Sequence, residues 1–174
     1  HFMNTTTFLK AQGLILITFA HCALALDGFY LGGQIGHVGL TGKTAITFNN
    51  AIGFGADLGF RTSASVDFTL SYQLSSHASN LTLNALMACA DLVVGEYNDF
   101  EFLLGVGPGF YFFKTSTSES KFGIHFGGAS NLVLEERLRV GLGLKYHAVL
   151  GASSSARADN YWTMMMRVGY LFDL

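Results

Sequence analysis

From Phe29 to the carboxyl terminus, apolar residues alternate with polar or small ones almost without interruption. A period of two is the signature of a β-strand that turns one apolar face outward or inward. The alternation is cleanest in Ile52-Gly53-Phe54-Gly55-Ala56-Asp57-Leu58-Gly59-Phe60-Arg61 and in Val66-Asp67-Phe68-Thr69-Leu70-Ser71-Tyr72-Gln73-Leu74. Eight such runs are predicted: approximately Gly28 to Val38, Asn50 to Arg61, Ser65 to Ser75, Leu81 to Val94, Phe100 to Phe113, Phe122 to Val133, Leu138 to Leu150 and Asn160 to Leu174. Each has about the 9 to 11 residues, or slightly more, that a tilted transmembrane strand needs. The fourth run is the least regular. Neither of its phases is cleanly polar and one register turns Asp91 toward lipid, which predicts a bulge or an earlier strand end near Cys89.

The two faces differ in kind. One phase collects large apolar residues, among them Phe29, Leu31, Ile35, Phe54, Leu58, Leu70, Leu104, Phe110, Phe126, Leu142, Met166, Val168 and Phe172, and contains no charge. A charge at mid-depth on a lipid-facing barrel surface costs about 2–4 kcal/mol, so this phase is read as the outer face. Tyr72, Tyr146, Trp162 and Tyr170 lie in it as candidate membrane-interface anchors. The opposite phase carries Asp57, Arg61, Asp67, Glu101, His125, Arg139, Lys145, His147, Arg167 and Asp173 together with thirteen of the 21 glycines. The lumen of an eight-stranded barrel is only wide enough for side chains, so glycines there are expected to make room for the charges. A soluble barrel would invert this pattern, exposing glycine and crowding the aromatic rings inside.

The predicted fold is therefore all-β, an eight-stranded antiparallel up-and-down transmembrane β-barrel over residues 26–174. Its connections alternate in length. Arg61 to Ser65, Gly95 to Asp99 and Leu134 to Arg137 are tight, whereas Gly39 to Asn49, Ser76 to Asn80, Lys114 to Lys121 and Gly151 to Asp159 are generally longer and polar. Barrels of the outer membrane have short periplasmic turns and longer extracellular loops, which predicts both termini in the periplasm.

With 50% hydrophobic and 13% charged residues among 174, the chain is apolar for a soluble domain, yet its longest apolar amino-terminal segment, Leu14 to Leu26, is too short to cross a bilayer as a helix. It reads as the core of a secretory signal peptide over residues 1–25, with Met3 as start, Lys10 as the positive region, Ala23-Leu24-Ala25 as the cleavage pattern and His1-Phe2 as a leftover. His21 stands where a lipidated cysteine needs a small predecessor, which argues against Cys22 as a lipid anchor. Cleavage leaves Cys89 alone, so no intramolecular disulfide is expected. A formal charge of −2 without a basic cluster excludes a nucleic-acid partner.

The last eight residues, Arg167-Val168-Gly169-Tyr170-Leu171-Phe172-Asp173-Leu174, resemble the terminal insertion signal of outer-membrane barrels in Arg167, Gly169, Phe172 and Leu174, with Leu174 departing from the usual terminal aromatic. With Phe29-Tyr30-Leu31-Gly32-Gly33-Gln34-Ile35-Gly36 and Leu103-Leu104-Gly105-Val106-Gly107-Pro108-Gly109-Phe110, the chain resembles the small outer-membrane barrel family typified by OmpA, OmpX and OmpW. The resemblance implies an outer-membrane location, contact with lipid and lipopolysaccharide, insertion by the barrel assembly machinery, and a monomer.

Buried charge is tolerable only when paired, so the inward residues are expected to form ion-pair networks that plug the lumen, Arg61, Asp67, Glu101, Arg139 and Asp173 near the periplasmic end and Asp57, Lys145, Arg167, His125 and His147 deeper. Pairs such as Asp57 with Arg167 or Lys145 are candidate gates. His125 and His147 lack a third ligand on their face, so neither a metal nor a cofactor is predicted. The resemblance brings in lipid A deacylases, whose catalytic Ser follows a His by two residues. Here Ala148 and Val149 follow His147, so no enzyme is predicted. The expected role is a structural envelope barrel with at most a narrow gated conductance. The alternative is an OmpW-like small-solute channel, and a surface adhesin ranks after it because the loops are short. An apolar upper lumen would favour the channel. Leu86, Val133 and Val149 are its candidate inward residues, with Met165 and Leu171 expected lower.

Overall fold

The computed structural model describes residues 26–41, 49–62, 65–150 and 160–173. The leader segment read at residues 1–25 lies outside them. The strands are β1 (Leu26–Leu40), β2 (Ala51–Thr62), β3 (Val66–His77), β4 (Leu81–Tyr97), β5 (Phe100–Lys114), β6 (Ser118–Leu134), β7 (Leu138–Leu150) and β8 (Tyr161–Asp173), with one short 3-10 turn at Ala78–Asn80. Each strand pairs antiparallel with its sequence neighbour, and β1 pairs with β8, closing the barrel. All eight predicted runs are strands.

Closure is staggered. The hydrogen-bonded row that starts at Phe29 passes through Phe60, Phe68, Ala90, Val106, Phe126, Tyr146 and Trp162 and returns to β1 at Gly39, ten residues further along. That stagger is what tilts the strands. Every residue of the row faces outward. Between the strand ends, the outer face of the described residues carries no Asp, Glu, Lys or Arg, and it exposes large side chains such as Leu31, Phe54, Leu104, Val106, Leu144 and Met166.

Two expectations need correction at the strand ends. β4 does not stop near Cys89 but continues to Tyr97, and its register shift falls between Val93 and Gly95. In this register Asp91 is buried inside the barrel and Leu92 and Val94 face out. The loop expected over Lys114 to Lys121 shrinks to residues 115–117, because β5 and β6 pair as far as Lys114 with Ser118. At the opposite end, Glu135 and Glu136 adopt φ of 51° and 62°, and the Arg137 N–H donates to Leu134 O at 3.2 Å. Two successive left-handed residues match the twist of a tight hairpin. The barrel thus has a turn end, with residues 98–99 and 135–137, and a loop end.

Candidate functional site

The inward side chains sort into levels. At the turn end, the Arg61 guanidinium donates to both oxygens of Asp67 (2.7 and 3.0 Å) and of Glu101 (2.7 and 3.1 Å). Arg139 approaches the same two carboxylates at 3.5 Å each. These four residues come from β2, β3, β5 and β7, so the cluster reaches across the lumen. Above it, Asp57 accepts from Gln34 Nε2 at 2.9 Å and Ser71 Oγ at 2.6 Å, and Arg167 stands 3.8 Å away. Lys145 does not join Asp57; its Nζ lies 3.6 Å from Cys89 Sγ, which donates to Asp91 at 3.3 Å. Arg61, Arg139, Arg167 and Lys145 thus balance Asp57, Asp67, Asp91 and Glu101. A cavity of about 10 Å³ among Tyr30, Asp67, Asp91, Arg139 and Arg167 has room for one water. The Asp173 side chain and Leu174 lie outside the described residues.

Next come the two histidines. His147 is fully buried, with Nδ1 3.3 Å from Tyr111 OH and Nε2 3.3 Å from Thr163 Oγ1, and its ring stacks on Tyr161 at 4.1 Å. His125, 5.8 Å from His147 between ring centroids, is equally buried, and neither of its ring nitrogens is hydrogen-bonded to protein. Among the described residues no cluster of three or more His, Cys, Asp or Glu is placed to hold a metal ion.

Toward the loop end the lumen becomes largely apolar, with Ser75, His77 and Lys121 among its polar members. Val38, Leu40, Leu81, Leu83, Ala85, Met87, Tyr111, Phe113, Tyr161 and Met165 form one buried cluster, with Val149 packed against it. Of the residues expected there, only Val149 takes part. Leu86 is on the outer face at 40% exposure, and Val133 pairs with Arg139 beside the turn end. Met165 belongs to the cluster rather than below it. The inward glycines also serve more than the charges. The Tyr30 ring occupies the space over Gly32 and Gly169, and Tyr111 occupies that over Gly109 and Gly123, so part of the glycine pattern is a bed for two tyrosines.

The wall beside this cluster has a break. The β4–β5 ladder runs to Met87↔Gly109, lapses opposite Gly107 and Pro108, and resumes in the same register at Ala90↔Val106. Proline has no N–H to give a ladder, so the lapse falls where a donor is missing. On the outside a furrow of about 530 Å³ lies over it, floored by Ala88 and Ala90 and walled by Phe68, Leu70, Val106 and Pro108. Cys89 and Gly107, whose side-chain positions face the lumen, line the same furrow.

No family model and no curated protein sequence matches the chain. Solved structures do. Neisserial surface protein A superposes with a TM-score of 0.67 at 12% identity, covering 84% of this chain and 97% of that one. The Pseudomonas aeruginosa outer membrane protein OprG gives 0.60 at 10% identity, covering 86% and 98%. The N-terminal barrel domain of OprF from the same organism gives 0.56 at 14%, covering 84% and 99%. The fold is that of the small outer-membrane barrels. At such identities the likeness extends to the fold alone, so function has to be read from this chain's own lumen and wall.

On the outer surface of this barrel, Trp162 pairs with Tyr146 and covers Gly39 of β1, where no side chain competes for the space. Tyr72 sits one row below Asn84, where the outer face of β4 turns polar, and Tyr170 pairs with Leu138 next to the turn end. Phe172 faces outward against Phe29, 6.1 Å between ring centroids. Arg167 and Gly169 face the lumen, as their role over Asp57 and under Tyr30 requires.

Proposed function

We propose that this chain is an outer-membrane barrel, with its termini in the periplasm, that stays closed to ions and passes small apolar molecules from its loop end sideways into the membrane. The observation that carries the reading is the apolar cluster of the loop-end lumen ending, at Met87, beside the ladder lapse at Pro108 and its outer furrow. An apolar molecule entering among Leu81, Leu83 and Phe113 passes Lys121, whose Nζ is 5.5 Å from the Phe113 ring centroid and paired with Glu119 at 3.3 Å, and then Ala85 and Met87 on the way to that lapse. A hydrated ion following the lumen axis meets the Arg61–Asp67–Glu101–Arg139 cluster instead. The resting lumen is packed, with Val38, Tyr111 and Tyr161 at zero exposure, so passage requires side chains to move. Met87 and Met165, unbranched and flexible, stand at the base of the cluster to do so. Insertion is assigned to the assembly machinery acting on the terminal strand, with lipid and lipopolysaccharide as surroundings.

The test is entry of the apolar dye N-phenyl-1-naphthylamine into cells expressing the full chain, with vancomycin sensitivity as the control for general leakage. Faster dye entry without vancomycin sensitisation, lost on Ala88→Phe, which fills the furrow from the lipid side, supports the reading. Dye entry equal to that of cells lacking the chain refutes it and leaves a closed structural barrel, which the zero exposure of the packed lumen favours as the second reading.

A further inference from the structure

We infer that the molecule taken by the apolar lumen is an amphiphile with a single uncharged hydrogen-bonding head, a hydroxyl or a carbonyl, recognised by His125 and Tyr161. The inference rests on the apolar-passage reading and names its substrate class.

One row of the barrel runs Gly107, His125, His147, Tyr161 across β5 to β8. It begins at the ladder lapse, because Gly107 lies beside Pro108, and it ends in the apolar cluster, to which Tyr161 belongs. Along this row the polar groups are treated unequally. His147 has a partner at each ring nitrogen. Its neighbours on either side, both fully buried, have none: both nitrogens of His125 and the Tyr161 hydroxyl are without a protein hydrogen bond. A buried polar group left unpaired costs about 1–3 kcal/mol, and native proteins keep few of them. Two of them, on either side of His147 on the route from apolar lumen to wall, mark where a passing polar head would be met.

Their chemistry limits that head. A neutral imidazole offers one donor and one acceptor, and a phenol offers one of each. A hydroxyl satisfies either kind, and a carbonyl satisfies the donors. A charged head does not fit. An ion there would sit in the low-dielectric interior against an imidazole and a phenol that offer it no counter-charge. A bare alkane would move past both groups and leave them unpaired.

The experiment compares 1-octanol, n-octane and octanoate, each as entry into expressing cells minus entry into cells lacking the chain, in wild type and in His125→Phe and Tyr161→Phe. Octanol is expected to gain most. Each variant is expected to cut the octanol gain by about fivefold, the effect of one net hydrogen bond, while sparing the octane gain. If no probe gains over cells without the chain, the passage reading itself fails. If octane gains as much as octanol, or the variants leave their ratio unchanged, passage stands and the assignment of the head group is overturned, the two side chains then serving lumen water. Should His125→Phe not fold by its heat-dependent gel mobility, imidazole nitrogen NMR of the wild-type barrel in micelles decides. Octanol is expected to shift the His125 resonances where octane does not, and equal responses overturn the assignment.

Discussion

Removing Arg61 tests the turn-end cluster most directly. Its guanidinium makes four charge-assisted hydrogen bonds, two to Asp67 and two to Glu101, between side chains that are 17%, 14% and 10% exposed. In Arg61→Ala, Asp67 and Glu101 keep only Arg139, at 3.5 Å from each, so two nearly buried carboxylates share one distant cation. Breaking a buried pair by deleting one partner costs about 3–5 kcal/mol, and the residual exposure places this case at about 3 kcal/mol. Arg139→Ala removes the longer contacts and should cost less, on the order of 1–2 kcal/mol. The double variant Arg61→Leu with Glu101→Leu deletes one cation and one anion together. It leaves Asp67 facing Arg139 and should recover to within about 1 kcal/mol of wild type, since a buried ion pair and a hydrophobic pair of similar volume are close in energy. The assay is equilibrium urea unfolding of the refolded barrel in detergent micelles, followed by the mobility difference of folded and unfolded chains on unheated gels. An Arg61→Ala cost below that of Arg139→Ala, or a double variant as unstable as the sum of its single changes, would refute the account of this cluster as a charge balance.

Three further outcomes are expected. Gly169→Ala should destabilise the barrel by about 1–3 kcal/mol, because the added methyl meets the Tyr30 ring, and Tyr30→Leu should relieve it; a failure of relief would assign Gly169 to terminal-strand recognition instead. Pro108→Ala, which restores an N–H opposite Ala88, should stabilise the β4–β5 ladder, slow amide exchange around Ala88 and Cys89, and reduce dye entry; unchanged exchange would show that proline does not cause the lapse. Cys89, buried in the lumen wall yet lining the outer furrow, should react in the folded protein with a lipid-soluble maleimide and not with a charged one. Equal protection from both would close the wall at that point.

Where one face is polar and the other apolar, as from Ile52 to Arg61, the sequence alone assigns strand and facing together, and Asp57, Arg61, Asp67, Glu101, Arg139, Lys145 and Arg167 can be placed inward without a structure. The loop-end lumen is illegible for the same physical reason. In Phe110-Tyr111-Phe112-Phe113 and Met164-Met165-Met166, lipid-facing and lumen-facing residues are both large and apolar, so the period-two contrast vanishes while the strand continues. The fourth strand fails in this way over most of its length, with Leu81, Leu83 and Met87 inside and Leu86 outside. Loss of contrast was itself a signal: a continuous apolar run within an alternating chain marks a strand buried on both faces. Applied to β4 and β5, that rule locates an apolar lumen segment at the loop end, and Pro108, alone in the chain, then stands out as the one backbone position there that must interrupt a ladder.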